Sequence, residues 1–301
     1  VDAATRTVWD RLRTELNFGQ YLDVVGKAKG DVTADMARTI FANKTAGYTI
    51  VRPLQLGAAM AGSPALGDAL AAHGMPLNHH AGGASPNFGN HFPASLAMFM
   101  LEVQWWTQRA LWHLMFSGVF ERHPELDYVI TETGTAWVPD TLAKLDSFHH
   151  RMKYSRYGSE SIFGGQAVAQ MSLTPSEYFD RQCHIGASFL RPAETDVARS
   201  VGTHKVMWGS DYPHIEGSHP HTKEHLRLTF ANYTVDEATQ MLTTNAAKVY
   251  GFDLEALLPL AEQFCPTKAQ VASPIDYSEI PERAKGCPGM NPLNQREEVV
   301  A

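Results

Sequence analysis

The chain has few cysteines and no long hydrophobic run. Three cysteines occur in 301 residues, at Cys183, Cys265 and Cys287, and none of them forms a CxxC pair. An odd number at such wide spacing argues against a disulfide framework and indicates a reducing compartment. The most apolar stretch, residues 99–119, is interrupted by charged and amide side chains, so no transmembrane helix is predicted. We therefore expect a cytoplasmic protein.

Positive charge is also scarce, and two common catalytic motifs are missing. The 25 Lys and Arg residues are outnumbered by 32 Asp and Glu, and a net charge of -7 argues against nucleic-acid or anionic-membrane partners. The glycine-containing loop Gly82–Gly89 is not followed by GK[ST], which excludes a phosphate-binding loop. Ser210 lies in GSD rather than in G-x-S-x-G, which argues against a serine hydrolase. We expect a small-molecule substrate.

The residues that are present form repeated strand-then-helix units. Six short apolar runs are each followed by a helical pattern; they lie near Tyr21, Thr49, Leu77, Val129, Cys183 and Val206. This alternation predicts an α/β fold with a parallel sheet, resembling an incomplete (β/α)8 TIM barrel with about six units. An open, doubly wound sheet is the competing architecture. We expect the barrel-like domain over residues 1–253 and a C-terminal tail over residues 254–301.

Three of the predicted strands end in a side chain that can bind a metal or exchange a proton. His80 follows MPLNH, Glu132 follows DYVIT, and Asp211 follows KVMWGS. The carboxyl ends of parallel strands share one edge of a sheet, so these side chains are expected to converge. Imidazole and carboxylate are ligands of divalent metals, and a carboxylate can also accept a proton from water. The alternative is that polar residues simply begin the loops after strands.

Other residues are predicted to contribute to a substrate pocket or an interface. Arg52 follows a strand directly and could bind a substrate carboxylate or form a structural ion pair. His184, placed at the end of a presumed strand, and His214, beside Asp211, are also predicted substrate-binding residues; His214 could instead orient Asp211 or cap a turn. The helix predicted over Ser95–Phe120 is so apolar that the fold or a second subunit must cover both its faces. A homo-oligomer through this helix is therefore expected.

The sequence around Asp211 resembles a known family. GSDYPH, followed by Asn245-Ala246-Ala247, is similar to the end of amidohydrolase-related (amidohydrolase-2) proteins, and the resemblance extends over Gly118–Asp146 and Gly47–Gly82. These proteins are metal-dependent TIM-barrel enzymes that include decarboxylases. The resemblance implies that His80 and Asp211 are metal ligands and that Asp211 also accepts a proton. The implied cofactor is a divalent cation, most simply Zn, with Mn or Fe as alternatives.

The sequence departs from this family in two places. The family's first strand carries a His-x-His pair that supplies two ligands, and no such pair occurs before the first predicted strand. We therefore expect this chain to lack two strands of its barrel and to be inactive by itself. The family's decarboxylases also carry a histidine where this chain has Glu132. Glu132 could replace it in acid–base chemistry, bind the metal or orient a neighbour.

The resemblance leads to one principal hypothesis and two alternatives. The principal hypothesis is a metal-dependent hydrolase in which metal-activated water attacks a small organic substrate, with Asp211 and Glu132 as catalytic residues. The first alternative is a non-oxidative decarboxylase of an unsaturated or aromatic carboxylic acid. The second, of another class, is a non-catalytic scaffold built on a barrel.

Overall fold

The computed structural model describes residues 76–82, 91–155 and 157–292, together with scattered positions between 10 and 39. The chain divides into two compact units, Val1–Leu126 and Asp127–Ala301. Tyr21, Leu22 and Val25 are helical, so the strand expected near Tyr21 is wrong. The predicted strand at Thr49, with Arg52 at its end, lies outside the described residues.

The described part of the first unit includes strand β1 (Leu77–His80) and the helices α1 (Ala94–Phe116) and α2 (Val119–Arg122). The single helix predicted over Ser95–Phe120 is therefore two helices. Gly118 separates them because its left-handed backbone, φ 71, ends the helical path. On α1, Leu111 and Met115 are buried one turn apart. Six large apolar residues of the same helix are exposed; they are Leu96, Met98, Phe99, Met100, Leu101 and Trp105. The predicted oligomer through this helix stays a prediction.

Within the described ranges, no helix has both the length and the hydropathy needed to cross a bilayer.

The second unit is built on three parallel strands, β2 (Tyr128–Thr133), β3 (Cys183–Ser188) and β4 (Val206–Gly209). β3 lies between the other two, and the register pairs Ile130 of β2 with Ile185 of β3, and Ile185 with Val206 of β4. All three side chains are fully buried. The parallel α/β architecture predicted from the sequence, from which (β/α)8 barrels are built, is confirmed.

Helices connect and follow these strands. In chain order they are α3 (Val138–Tyr154), α4 (Ser159–Ala169), α5 (Pro175–Gln182), α6 (Thr195–Val201), α7 (Thr222–Thr229), α8 (Val235–Thr239), α9 (Asn245–Tyr250), α10 (Leu254–Phe264) and α11 (Lys268–Val271). The sequence pattern predicts one helix over Val235–Tyr250, but a π-helical turn, Gln240–Thr244, joins α8 to α9 within it. A short 3-10 turn, Thr203–Lys205, precedes β4.

The glycine and serine content of residues 154–172 predicts a loop, but most of this segment forms α4. Its glycines and serines are typical of a loop, but here they serve close packing. Gly164 faces Met152 of α3 so closely that a β-carbon would collide with the methionine side chain. α4 therefore pairs with α3, and the small residue permits the contact rather than breaking the helix.

Local capping and shared core residues fix the strand order. Thr174 begins α5 with a reciprocal capping box, in which its Oγ1 accepts from the Glu177 backbone and the Glu177 carboxylate accepts from the Thr174 backbone. α5 then runs directly into β3. Val129 of β2, Met207 of β4 and Val249 of α9 form one buried cluster. Because β2 and β4 both run parallel to β3, their carboxyl ends lie at one edge of the sheet.

Candidate metal centre

Glu132 lies in a β-bulge at the carboxyl end of β2. Thr131 pairs with Gly186 and Thr133 with Ala187, so Glu132 is an extra residue without a partner position on β3. Its φ of 61 is left-handed, which few residues other than glycine adopt. A bulge redirects the side chain that it carries. Here it directs the carboxylate away from the regular alternation of β2.

Asp211 occupies the corresponding end of β4, two residues after Gly209. Its backbone is also left-handed, with φ 55, and its side chain is 9% exposed. Nδ1 of His214 lies 3.0 Å from Oδ2 and 3.1 Å from Oδ1 of Asp211. A carboxylate only accepts hydrogen bonds, so the neutral imidazole carries its proton on Nδ1. Nε2 is then the nitrogen that can coordinate a cation while this hydrogen bond is kept.

The loop after β4 turns back on itself through backbone hydrogen bonds. The His214 amide donates to Asp211 O, the Gly217 amide to His214 O, and the Ser218 amide to Ser210 O, at 2.9, 3.1 and 2.9 Å. Gly217 lies inside this turn. A β-carbon there would be 2.8 Å from the Asp211 carbonyl oxygen and 3.0 Å from those of His214 and Ser210. Only glycine fits, and the tight turn brings His214 and Glu216 back toward Asp211.

Four side chains of the second unit converge as a result. Glu132, Asp211, His214 and Glu216 each present one ligand atom, and these atoms lie within 4.8 Å of one another. Metal–ligand bonds of about 2.0–2.2 Å place two ligands of one ion up to ~4.4 Å apart, so a small adjustment suffices for a shared cation. Three carboxylates in so small a volume repel each other, and a divalent cation removes that repulsion. The donor set, three carboxylates and an imidazole, fits Zn, Mn or Fe.

Two members of this cluster were not predicted as ligands. The sequence predicts that His214 binds substrate, orients Asp211 or caps a turn, and it indicates no role for Glu216. Both residues belong to the GSDYPHIEG stretch that carries the family resemblance. Their spacing of three and five residues from Asp211 was the available signal. It becomes informative only once the tight turn around Gly217 is known.

A buried carboxylate supports the chain just after Glu132. Glu194 is 5% exposed, and its Oε2 accepts from both the backbone amide and the hydroxyl of Thr135, each at 3.1 Å. Its Oε1 lies 2.6 Å from Nε of Arg191. Trp137 Nε1 donates to Thr133 Oγ1 in the same turn, at 3.2 Å. These bonds fix the segment that leaves the Glu132 bulge.

His80 ends β1 in the first unit. Its Nδ1 lies 2.8 Å from the carbonyl oxygen of Ala81, which can only accept, so the neutral ring carries its lone pair on Nε2. The adjacent His79 has a pKa lowered to about 4, first by burial and then by the charge of His80. His80 as a metal ligand stays a prediction.

His184 does not lie where the sequence analysis placed it. It is the second residue of β3, at the opposite end of the strand from Ser188, and the expected position at a strand's carboxyl end is wrong. The ring is buried and its Nε2 lies 2.9 Å from Oδ1 of Asp127, just before β2. Its role in substrate binding stays a prediction, as does that of Arg52, which lies outside the described residues.

The chain is similar to a known protein family and to several solved structures. Among sequence models of protein families, the one described as amidohydrolase matches residues 4–252. A solved structure of 5-carboxyvanillate decarboxylase LigW from Sphingomonas paucimobilis is 22% identical, with a TM-score of 0.47, over 62% of this chain and 52% of that one. The amidohydrolase map2389c from Mycobacterium avium subsp. paratuberculosis K-10 is 19% identical, with a TM-score of 0.45, over 67% and 46%.

A dihydroxybenzoic acid decarboxylase from Polaromonas sp. JS666, solved with manganese and the inhibitor 2-nitroresorcinol, is 17% identical with a TM-score of 0.42. The match covers 65% of this chain and 54% of that one. The chain thus spans about half the length of these solved relatives.

Proposed function

Because the chain belongs to the amidohydrolase family, we propose that it is a metal-dependent hydrolase whose cation is held by Glu132, Asp211, His214 and Glu216. The observation that carries this proposal is the convergence of the four ligand atoms within 4.8 Å. A divalent cation, when bound, supplies Lewis acidity that polarises a carbonyl and lowers the pKa of water to about 7. The proposed substrate is a small ester, amide or lactone.

Asp211 is the proposed proton acceptor. Its carboxylate is mostly shielded from solvent and is held by the Nδ1 proton of His214. A carboxylate fixed in this way can take a proton from the attacking water at one Oδ and return it to the leaving group. Glu132 comes from the other strand end and is proposed as a ligand. The assignment leaves Asp211 as the residue that moves the proton.

Cation binding is the first test. The full chain is stripped with a chelator, incubated with Zn²⁺ or Mn²⁺, and analysed for bound metal after desalting. The test variant is Asp211→Asn, because asparagine tolerates the left-handed backbone at this position. Asp196→Asn is the matched control, since that side chain is 98% exposed. We expect one ion per chain in the wild type and in the control, and loss of the ion in Asp211→Asn.

The reaction is tested with the same proteins. Cleavage of esters, amides or lactones that needs the cation and Asp211 supports the hydrolase. Release of carbon dioxide from unsaturated or aromatic acids, without cleavage of any ester, amide or lactone, would show a decarboxylase instead. No bound cation in any of the three proteins would reject both and favour a non-catalytic scaffold. The predicted ligand His80 is tested in parallel with His80→Asn, which should weaken binding if the ring contributes a ligand.

A further inference from the structure

The segment Ser273–Met290, called here the C-terminal segment, lies beyond the family match, which ends at residue 252. It packs against α7, the helix that follows the metal-binding loop. Ile280, Ala284, Cys287 and Met290 are buried together with Leu228 of α7. Phe189, which directly follows β3, packs against the same cluster. The segment is thus part of the second unit's core rather than a loose tail.

Polar contacts also join the C-terminal segment to α7. Arg227 Nε donates to the carbonyl oxygen of Ser273 at 2.9 Å, and its Nη2 donates to that of Pro274. At the other end of the segment, Gly289 lies directly on the ring of His225, where a β-carbon would collide with the imidazole. The segment is therefore held at its beginning and at its end by one helix.

A third polar contact reaches the start of α7. Nε of Arg283 donates to Nε2 of His221 at 3.0 Å, and His221 directly precedes the helix. The backbone amide of His221 donates to Ser218 O at 2.7 Å, and the Ser218 amide donates to Ser210 O. Arg283 is thus connected by consecutive hydrogen bonds to the residue next to Asp211. The loop that carries His214 and Glu216 lies between Ser210 and His221 in the chain.

The C-terminal segment also faces the loop that carries His214 and Glu216. Cys287 and Met290 line a small cavity of about 100 Å³ together with Gly217 and Ser218 of the loop. One side of the loop therefore faces the C-terminal segment.

We propose that the C-terminal segment is a positioning element of the metal centre and that Arg283 is its key residue. By holding His221, Arg283 keeps the loop folded so that His214 and Glu216 stay within reach of Asp211. The inference rests on the proposed function, because it concerns the same cation. It assigns a role in cation affinity to residues that do not touch the ion.

The test measures the affinity of the chelator-stripped full chain for Zn²⁺ by competition with a chromogenic chelator. Arg283→Ala should weaken binding about threefold to tenfold, the range that one lost hydrogen bond supports. The midpoint of its thermal unfolding without metal should fall by no more than about 2–4 °C, because Arg283 is exposed and loses a single hydrogen bond. Arg283→Lys, which keeps a donor and the charge, should recover part of the affinity. Lys285→Ala is the control, since it removes one positive charge from the same segment.

A double-mutant comparison tests whether Arg283 affects the affinity for the cation through the His221 ring. If Arg283 acts through this ring, Arg283→Ala should cause no further loss of affinity in a His221→Ala background. Wild-type affinity in Arg283→Ala, or equal losses in Arg283→Ala and Lys285→Ala, would overturn the inference while leaving the proposed function intact. A wild-type chain that binds no Zn²⁺ would instead overturn the proposed function.

Discussion

Glu132 and Asp211 share a left-handed backbone conformation, φ 61 and φ 55, although one lies at the end of β2 and the other beyond β4. Such a conformation costs a residue with a β-carbon about 1–2 kcal/mol relative to its ordinary regions. Backbone strain of this kind persists where the surrounding structure enforces it, and it is concentrated at functional sites. Glu132 is thus held in a costly position, whereas aspartate tolerates the conformation of Asp211 more readily. This difference leads to a first prediction.

Glycine at position 132 should be more stable than alanine. Both substitutions remove the carboxylate, but only glycine relieves the left-handed backbone, so Glu132→Gly should exceed Glu132→Ala by about 1 kcal/mol in unfolding free energy. Urea denaturation measures the difference. At the neighbouring Thr131, whose φ is not positive, the order should reverse. Equal stability of the two variants at position 132 would show that the bulge relaxes without strain.

A methyl group at Gly217 should disturb the metal centre. Gly217→Ala places a β-carbon within 2.8–3.0 Å of three carbonyl oxygens, so the turn must open and carry His214 and Glu216 away from Asp211. We expect affinity for Zn²⁺ to fall by at least about tenfold, together with a loss of stability of about 1–3 kcal/mol. Gly286→Ala is the matched control, because nothing lies within 4 Å of a β-carbon there. Unchanged affinity in Gly217→Ala would separate the turn from cation binding.

Removing the buried carboxylate of Glu194 should cost more than removing an exposed neighbour. Glu194→Ala leaves Thr135 and Arg191 without their bonds to this carboxylate, so a loss of about 3 kcal/mol in unfolding free energy is expected. Asp196→Ala, at an exposed side chain, should change stability by less than about 0.5 kcal/mol. Chemical denaturation of both variants provides the comparison. Similar small losses in both would mean that the turn after Glu132 does not depend on Glu194.

Stability should fall in acid because of His225. Burial lowers the pKa of this ring to about 4 in the folded chain, compared with 6.5 as the ordinary value. Above pH 6.5 the ring is neutral in both states, whereas between pH 6.5 and 4 only the unfolded chain takes up the proton. The free energy of unfolding should therefore decrease over this range, by up to about 3 kcal/mol from this residue.

The measurement compares the pH dependence of the wild type with that of His225→Leu, which lacks the titrating group. The variant should show a flatter profile between pH 6.5 and 4, while His219→Leu, at an exposed ring, should keep the wild-type slope. Because His79 titrates in the same range, the difference between profiles is the informative quantity. Parallel profiles for the wild type and His225→Leu would contradict this account.

The sequence predicted the strands of the second unit well because their signal is local. β2 and β4 are short, β-branched or apolar runs followed by a polar residue, and their observed bounds, Tyr128–Thr133 and Val206–Gly209, lie within two residues of the prediction. α4 was missed because its glycines pack against Met152, a contact between helices that composition does not reveal. His184 was misplaced because β3 extends to Ser188, two residues farther than its sequence suggested.

The residues of the candidate site also fall into two groups, those that the sequence predicts and those that it does not. Glu132 and Asp211 could be selected from sequence, since Glu132 directly follows the apolar run DYVIT and Asp211 comes just after KVMWGS. The ligand positions of His214 and Glu216 depend on a turn closed by three backbone hydrogen bonds around Gly217, and residue order alone does not specify that closure. The contact between Arg283 and His221 joins residues 62 positions apart, which no local pattern encodes.

Because Glu132 is an extra residue in β2, the number of residues in this strand matters as much as the identity of residue 132. Deleting Glu132 would make Thr131 and Thr133 consecutive and restore an uninterrupted pleat, so a hydroxyl would stand where a carboxylate is needed. Inserting a residue there would again change which face of the sheet each following side chain occupies. The connection between α3 and α4, by contrast, can change length without exchanging the faces of any strand. Insertions and deletions should therefore be tolerated very differently at these two places.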